Sequence, residues 1–253
     1  MDANGATFCL YSMSETDFDE KWDQDVSRLL DGSVDSSRRT RALADFAYTR
    51  DQLNPLIRRV LADREYLAAV ARRSYFHANR FEKIVLAWVG DFGPKLRLHI
   101  WQSEEFETSG LHIHDHAWDF ASIVLSGALE TETYRRASSG EAYYHYIVPN
   151  RANSRRKAEL VTSSAKLRCA ETRCIETREL YSLNCDVLHR TAPRNPGLTV
   201  TLLLQGPHVR NTTNAFLQGI IQKSRITDVR RFSTTELKKR FEWLLQHCCV
   251  VGS

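Results

Sequence analysis

The chain has 253 residues, 42% of them hydrophobic and 26% charged, with a formal net charge of +4. That is apolar material for one large domain, or one domain with extensions, and the charge is too mild and too evenly spread for a nucleic-acid-binding arm. No run approaches the roughly 18–20 apolar residues needed to cross a bilayer, so membrane-spanning and nucleic-acid-reading classes are set aside.

Residues 1–14 are small, polar and weakly patterned, as in a frayed end or short edge strand, and they carry no basic leader region. From Glu15 to about Ser74 the spacing becomes helical. Phe18, Trp22, Val26, Leu29 and Leu30 recur at helical intervals, and Ser37 is the expected cap of a helix through Thr40, Leu43 and Phe46. Asn54 as N-cap with Pro55 as the first helical residue opens the next helix, and Asp63 restarts the turn for Tyr66, Leu67 and Val70.

Near Phe81 the texture changes. Ile84–Val89 is an apolar run of strand length, closed by the turn residues Gly90–Pro94, and Lys95–Trp101 alternates polar and apolar residues as a half-buried strand does. Further strands are expected around the histidines at 112–116, at Ser122–Leu125, and after the Gly127 turn at Ala128–Tyr134. Tyr143–Val148, Glu179–Leu183, Val187–His189 and Leu198–Leu204 complete the set. Many short strands without intervening helices indicate a sandwich or barrel. Residues 207–232 read as loop or mixed structure, and Ser233–Glu236 is a capping box opening an amphipathic helix with Leu237, Phe241, Leu244 and Leu245 on one side. The expected organisation is an N-terminal helical extension over 1–80, a β-barrel over 81–207 and a C-terminal loop and helix over 208–253.

The six cysteines, Cys9, Cys169, Cys174, Cys185, Cys248 and Cys249, include no Cys-x-x-Cys pair. Free thiols in a reducing, cytoplasmic setting are expected. The basic loop Arg151–Lys157 reads as solvated surface, and His99 and His145 as ordinary barrel residues, with His208 at the rim.

The chemistry concentrates in one stretch. His112, His114 and His116 are spaced two apart, so on a strand all three point to one face, as a divalent metal requires. Either His112/His114 or His114/His116 can form a His-x-His pair. A third ligand must come from elsewhere in the fold.

This stretch resembles the cupins, whose first motif is Gly, a spacer, His-x-His, three or four residues, Glu, six residues, Gly. Pairing His114 with His116 puts the Glu position at Phe120, six residues before Gly127. Pairing His112 with His114 puts Asp119 there, but the run to Gly127 is then one residue too long. The first alignment is adopted. A later His in the second cupin motif corresponds to His189, within Asn184–Pro193, followed by the apolar strand Thr199–Leu204 and Gly206-Pro207; the usual Pro-x-Gly before it is absent. Ile113-His-Asp-His116, with no motif Glu, is similar to the cysteine dioxygenase group of three-histidine cupins. Trp118-Asp119-Phe120 resembles bacterial cupins with an HDHxWDF signature. The resemblance covers roughly residues 75–207. It implies a jelly-roll barrel and a metal site of His114, His116 and His189, with Asp119 and His112 as supporting catalytic residues. Asp119 would hydrogen-bond a ligand imidazole and fix its tautomer. The Tyr that this group carries after its third ligand is replaced by Leu202–Leu204, and its carboxylate-binding Arg has only His77 and Arg80 in the corresponding region.

The implied cofactor is Fe(II), with Mn, Ni, Cu and Zn as alternatives for a three-nitrogen site. The implied activity is oxygenation of a small molecule by dioxygen. Three neutral ligands leave the site at 2+, which favours an anionic group on that molecule. Non-redox isomerase or lyase chemistry with the metal as Lewis acid, and a non-catalytic ligand-binding barrel, are the alternatives. A monomer or homodimer is expected, with no nucleic acid or membrane as partner.

Overall fold

The computed structural model describes residues 20–33, 35–49, 52–103, 111–150, 158–219 and 230–247. The expected edge at residues 1–14, Phe18 and the basic loop Arg151–Lys157 lie outside them. The described chain is mainly β, built from two antiparallel sheets with helices before and after.

Helices α1 (Glu20–Leu29), α2 (Ser36–Ala44, continuing into a π-helical turn Asp45–Thr49), α3 (Leu53–Ala62) and α4 (Arg64–Arg73) come first. Asp35, not Ser37, caps α2. Its carboxylate accepts from the Arg38 N–H at 2.9 Å and from the Ser37 hydroxyl at 2.7 Å, so Ser37 lies inside the first turn as a donor to the cap. Helix α3 begins at Leu53, with Gln52 at the cap position and no side-chain cap, so Asn54 and Pro55 sit within its first turn. Proline is tolerated there because first-turn N–H groups have no partner within the helix anyway. Asp63 does restart the chain: it accepts from the Glu65 and Tyr66 N–H groups at 2.8 and 3.0 Å and caps α4. Helix α5 (Thr234–His247) opens with the expected capping box, Ser233 Oγ accepting from Glu236 N–H and Glu236 accepting from Ser233 N–H. Leu237, Phe241 and Leu244 are buried beneath it.

The first sheet has the order β1 (Tyr75–Phe76), β2 (Glu82–Trp88), β3 (Lys95–Ser103), β10 (Gly197–Gln205), β5 (Phe120–Ser126), β8 (Leu180–Leu183). The second runs β11 (Thr212–Leu217), β4 (Ile113–His114), β9 (Leu188–Pro193), β6 (Leu129–Pro149), β7 (Glu159–Ile175). From β3 to β6, and again from β7 to β11, the chain crosses between sheets at nearly every step. This two-sheet antiparallel arrangement with helical extensions is that of the expected jelly roll. The helices and the outer face of the first sheet share one apolar core, including Leu43, Val60, Leu98, Ile123, Leu202 and Phe241. A second core lies between the sheets, joining Trp101, Trp118, Phe120 and Leu203 to Leu129 and Ile175.

This layering changes the reading of Lys95–Trp101. The strand is buried on both faces, not half-buried. Leu96, Leu98 and Ile100 pack under the helices, and Arg97 and His99 are buried on the side facing the second sheet. Two features of the second sheet are absent from the sequence reading: the long, polar β7 and the strand β11. Strand β6 bends so that Leu129–Tyr134 pairs with β9 while Tyr144–Pro149 pairs with β11. With β4 between β9 and β11, the pairing closes into a ring. Gly127 turns β5 into β6 at φ 76°, and a Cβ there would lie 2.4 Å from Thr199 Oγ1, so the turn demands glycine. Among the described residues no helix is long and apolar enough to cross a membrane.

Candidate metal centre

The histidine stretch is less regular than its spacing suggests. Only Ile113 and His114 form strand, and the chain then leaves the ladder, with Asp115 N–H bonded to the Asn214 carbonyl and His116 N–H to the Cys185 carbonyl. Ile113 packs outward into the apolar cluster within the ring, which sends His114 the other way. His114 and His189 are direct register partners between β4 and β9. His116 reaches the same point from the loop. One ring nitrogen from each of His114, His116 and His189 lies within 4.8 Å of the other two, and the ring centroids are 4.7–4.9 Å apart. His112 precedes the strand and is not one of these three.

The imidazoles are held neutral. His114 Nδ1 bonds the His112 carbonyl and His189 Nδ1 bonds the Val187 carbonyl, each at 3.0 Å. A carbonyl can only accept, so each Nδ1 carries the proton and each Nε2 keeps its lone pair. Burial, then the neighbouring His189, holds His114 down to about 3. Burial holds His189 at about 4. Burial, then His114 and His189, places His116 well below the ordinary histidine value. Three deprotonated nitrogens converging in a protein interior are the donor set a divalent metal takes. Ligands at about 2.1 Å from one ion are roughly 3–3.5 Å apart, so small rotations of these rings would suffice.

An aromatic wall closes one side. Trp118 stacks on His116 at 4.0 Å between centroids and 13° between planes, and Phe120 sits edge-on to His116 at 5.5 Å. Phe120 is thus an apolar neighbour of the rings, packed beside both His116 and His189. Tyr181 meets Phe120 edge-on at 5.7 Å, and its phenol is pushed up to about 12 by burial. This brings a tyrosine to the interior from β8 and not from the closing strand, where sequence comparison looks for it.

The tautomer partners differ from expectation. Asp119 accepts from the Cys185 N–H at 2.7 Å, not from an imidazole. It ties the end of the histidine stretch to the loop leading into His189, and the backbone carbonyls of residues 112 and 187 do the work assigned to it. His112 contributes its carbonyl to His114, and its N–H donates to Asn79 Oδ1 at 3.3 Å. The residue that sequence reading missed is Asp115. It is 3% exposed and accepts from Asn214 N–H at 2.7 Å, from Asn214 Nδ2 at 2.6 Å, and from Arg210 Nη2 at 2.9 Å. Arg210 in turn donates to the carbonyls of His116 and Cys185. Asp115, Asn214 and Arg210 therefore staple the two histidine-bearing segments together from behind. The only trace in the sequence is parity: an acid between two histidines must face away from them.

The remaining histidines fall into place around this centre. His145 stacks on Phe216 at 4.5 Å and bonds Asn214 Oδ1, away from the three rings. His208 lies edge-on to Phe92. His77 and His99 flank Phe81 at 4.4 and 4.6 Å, and both titrate well below the ordinary value, chiefly from burial. His99 faces the barrel interior with its Nε2 lacking a hydrogen-bond partner, so it is less ordinary than its place in an alternating strand suggested.

No family model matches the chain, and no curated protein matches it. Solved structures are similar at low identity. The hydroxypropylphosphonic acid epoxidase from S. wedmorenis is 9% identical, covering 49% of this chain and 50% of that one, with a TM-score of 0.32. A Drosophila melanogaster CENP-C cupin domain is 4% identical, covering 52% and 74%, with a TM-score of 0.30. A cupin-2 domain protein from Shewanella frigidimarina is 14% identical, covering 50% and 79%, with a TM-score of 0.26. The chain spans about half the length of the epoxidase structures it matches. At these scores none of them carries an argument about this chain, and its architecture rests on its own strand order and register.

Proposed function

We propose that His114, His116 and His189 hold a divalent metal, Fe(II), and that the protein is a non-haem oxygenase acting on a small molecule with dioxygen. The observation that carries this reading is the convergence of three neutral imidazoles, His189 buried and His114 and His116 half-buried, inside a two-sheet barrel. Bound iron would supply the electron-transfer chemistry that lets dioxygen react with an organic molecule. The protein's own contribution is positional. The carbonyls of His112 and Val187 hold the ring protons on Nδ1 and aim Nε2 inward. Trp118, Phe120 and Leu203 form an apolar wall that excludes bulk water and strengthens electrostatic interactions within. Three uncharged ligands leave the ion's charge uncompensated, which favours an anionic substrate group. Asp119 and His112 act indirectly, the first by fixing the loop before His189 and the second through its carbonyl.

The test is anaerobic loading with Fe(II), followed by oxygen-electrode measurements with panels of small thiols and carboxylic acids. Substrate-dependent oxygen uptake at stoichiometric iron is expected. Turnover of a substrate without oxygen uptake would instead establish Lewis-acid chemistry, and failure to retain any divalent metal would remove the enzyme reading.

A further inference from the structure

Behind the staple of Asp115, Asn214 and Arg210 the hydrogen bonds continue one residue further, to His145. Its imidazole is 5% exposed and stacks on Phe216, its register partner across the β6–β11 ladder, at 4.5 Å and 7°. Asn214 stands two residues before Phe216 on β11, so it is the diagonal neighbour of His145 on the same face of the pair. The Asn214 amide meets His145 on one side and the Asp115 carboxylate on the other.

Chemistry fixes the direction of each bond. A carboxylate paired with Arg210 only accepts, so the Asn214 group 2.6 Å from Asp115 Oδ2 is the NH2, and Oδ1 faces His145. An amide oxygen also only accepts, so His145 Nε2, at 2.8 Å, carries a proton and donates. The opposite tautomer would bury an Nδ1–H without a partner and deprive Asn214 Oδ1 of its donor. The Nε2–H tautomer leaves only the Nδ1 lone pair unpartnered. Arg136 Nη2 lies 3.3 Å from the same Nε2, but a donor facing a donor forms no hydrogen bond. Burial first, and the Arg136 charge with it, hold His145 below the ordinary histidine value, so the ring stays neutral.

Asp115 sits between two of the three candidate ligands. Its carboxylate is held by Asn214 N–H, Asn214 Nδ2 and Arg210, and the rings of His114 and His116 project to the other side. Turning that carboxylate therefore turns the backbone from which both rings start.

We infer that His145 is a positioning residue for the candidate metal centre: by donating to Asn214 Oδ1 it holds the Asn214 amide against Asp115, and through Asp115 it holds His114 and His116 in place. Its effect on metal rests on the reading of these rings as ligands; the direction of the bond and its effect on the backbone do not.

Two variants of the full-length protein separate the ring's stack from its donor. His145→Phe keeps an aromatic ring for Phe216 and removes the donor, whereas His145→Gln loses the stack and can place an amide N–H where Nε2 stands. In metal-free unaltered protein, 15N NMR of the histidine side chains should find the His145 proton on Nε2. Hydrogen exchange at the Asp115 and His116 backbone N–H groups should be several-fold faster in His145→Phe and close to the unaltered rate in His145→Gln. Fe(II) affinity, by competitive chelator titration, should fall about tenfold in His145→Phe and stay near the unaltered value in His145→Gln. The thermal midpoint should run the other way, lower in His145→Gln than in His145→Phe, because it follows the lost stack. A purely structural role would make exchange and affinity follow the thermal midpoint, and that result would overturn the inference. So would a proton on Nδ1, or exchange or affinity unchanged in His145→Phe. If the unaltered protein retains no Fe(II), the metal reading fails, and the tautomer and exchange measurements still decide whether His145 holds the histidine segment.

Discussion

His114 and His189 face each other directly across the β4–β9 ladder, their ring centroids 4.7 Å apart, although 75 residues separate them in the chain. Each ring bonds the carbonyl two residues upstream by the same 3.0 Å contact. If they are ligands, replacing either by alanine removes one of three nitrogens, and stoichiometric metal should be lost from both variants. Metal analysis by plasma mass spectrometry after Fe(II) loading checks this, and iron retained at one equivalent by both would disprove the assignment.

The staple behind the centre makes a separate prediction. Arg210→Met removes the donor shared by the His116 and Cys185 carbonyls and leaves the buried Asp115 without its cation. Breaking such a pair should lower stability by roughly 2–3 kcal/mol, toward the low end because Arg210 is 30% exposed. Metal affinity should fall about 10- to 100-fold, as for other outer partners of metal ligands. A competitive chelator titration measures it; a drop in thermal stability with unchanged metal affinity would show that the staple serves the fold alone.

Acid should destabilise the metal-free protein. His114 and His189 are held at about 3 and 4 against an ordinary value of 6.5, and His77, His99 and His116 are also lowered, all chiefly through burial. Between these values the unfolded chain binds protons that the folded chain does not, so stability falls as pH drops below 6.5. These groups contribute no slope above about pH 7. Thermal midpoints collected from pH 4 to 8 should show a plateau at the top and a decline below it, and a flat profile would contradict the neutral, buried state of the rings.

Gly127→Ala tests the turn that ends the histidine stretch. The φ of 76° disfavours any side chain, and the added methyl would meet Thr199 Oγ1 at 2.4 Å and the Leu198 carbonyl at 2.6 Å. A loss of about 2 kcal/mol or more is expected in urea unfolding. A neutral result would mean the turn adopts another conformation.

Much of this was legible from local pattern. Asp63 and the Ser233–Glu236 box act where their spacing placed them, because caps depend on neighbours two or three residues away. The apolar strands at Ile84 and Leu198 stand out because both of their faces are buried. Strand β7 is not legible in the sequence for the opposite reason: most of its residues are exposed, and its pairing with β6 leaves little hydrophobic signature. Asn54 was a plausible cap by type, but the helix begins one residue before it, a difference that composition cannot resolve.

Residue types and intervals determined that the chain is strand-rich with helical ends and that His112, His114 and His116 crowd one stretch, because side-chain period is a local property, and the resemblance to the cupin motifs singled out His114, His116 and His189 as metal-ligand candidates. Tertiary structure decided everything that depends on contacts between distant segments. It separated His112 from the other three rings, turned Asp119 from an imidazole partner into a loop tether, and made Asp115 a buried anchor for Arg210, 95 residues away. It also turned the polar positions of an alternating strand, Arg97 and His99, toward the interior. A sequence shows alternation but not which face is covered. Here the helices cover the apolar face and the second sheet covers the polar one, and that double burial is what brings positive charge next to the histidines.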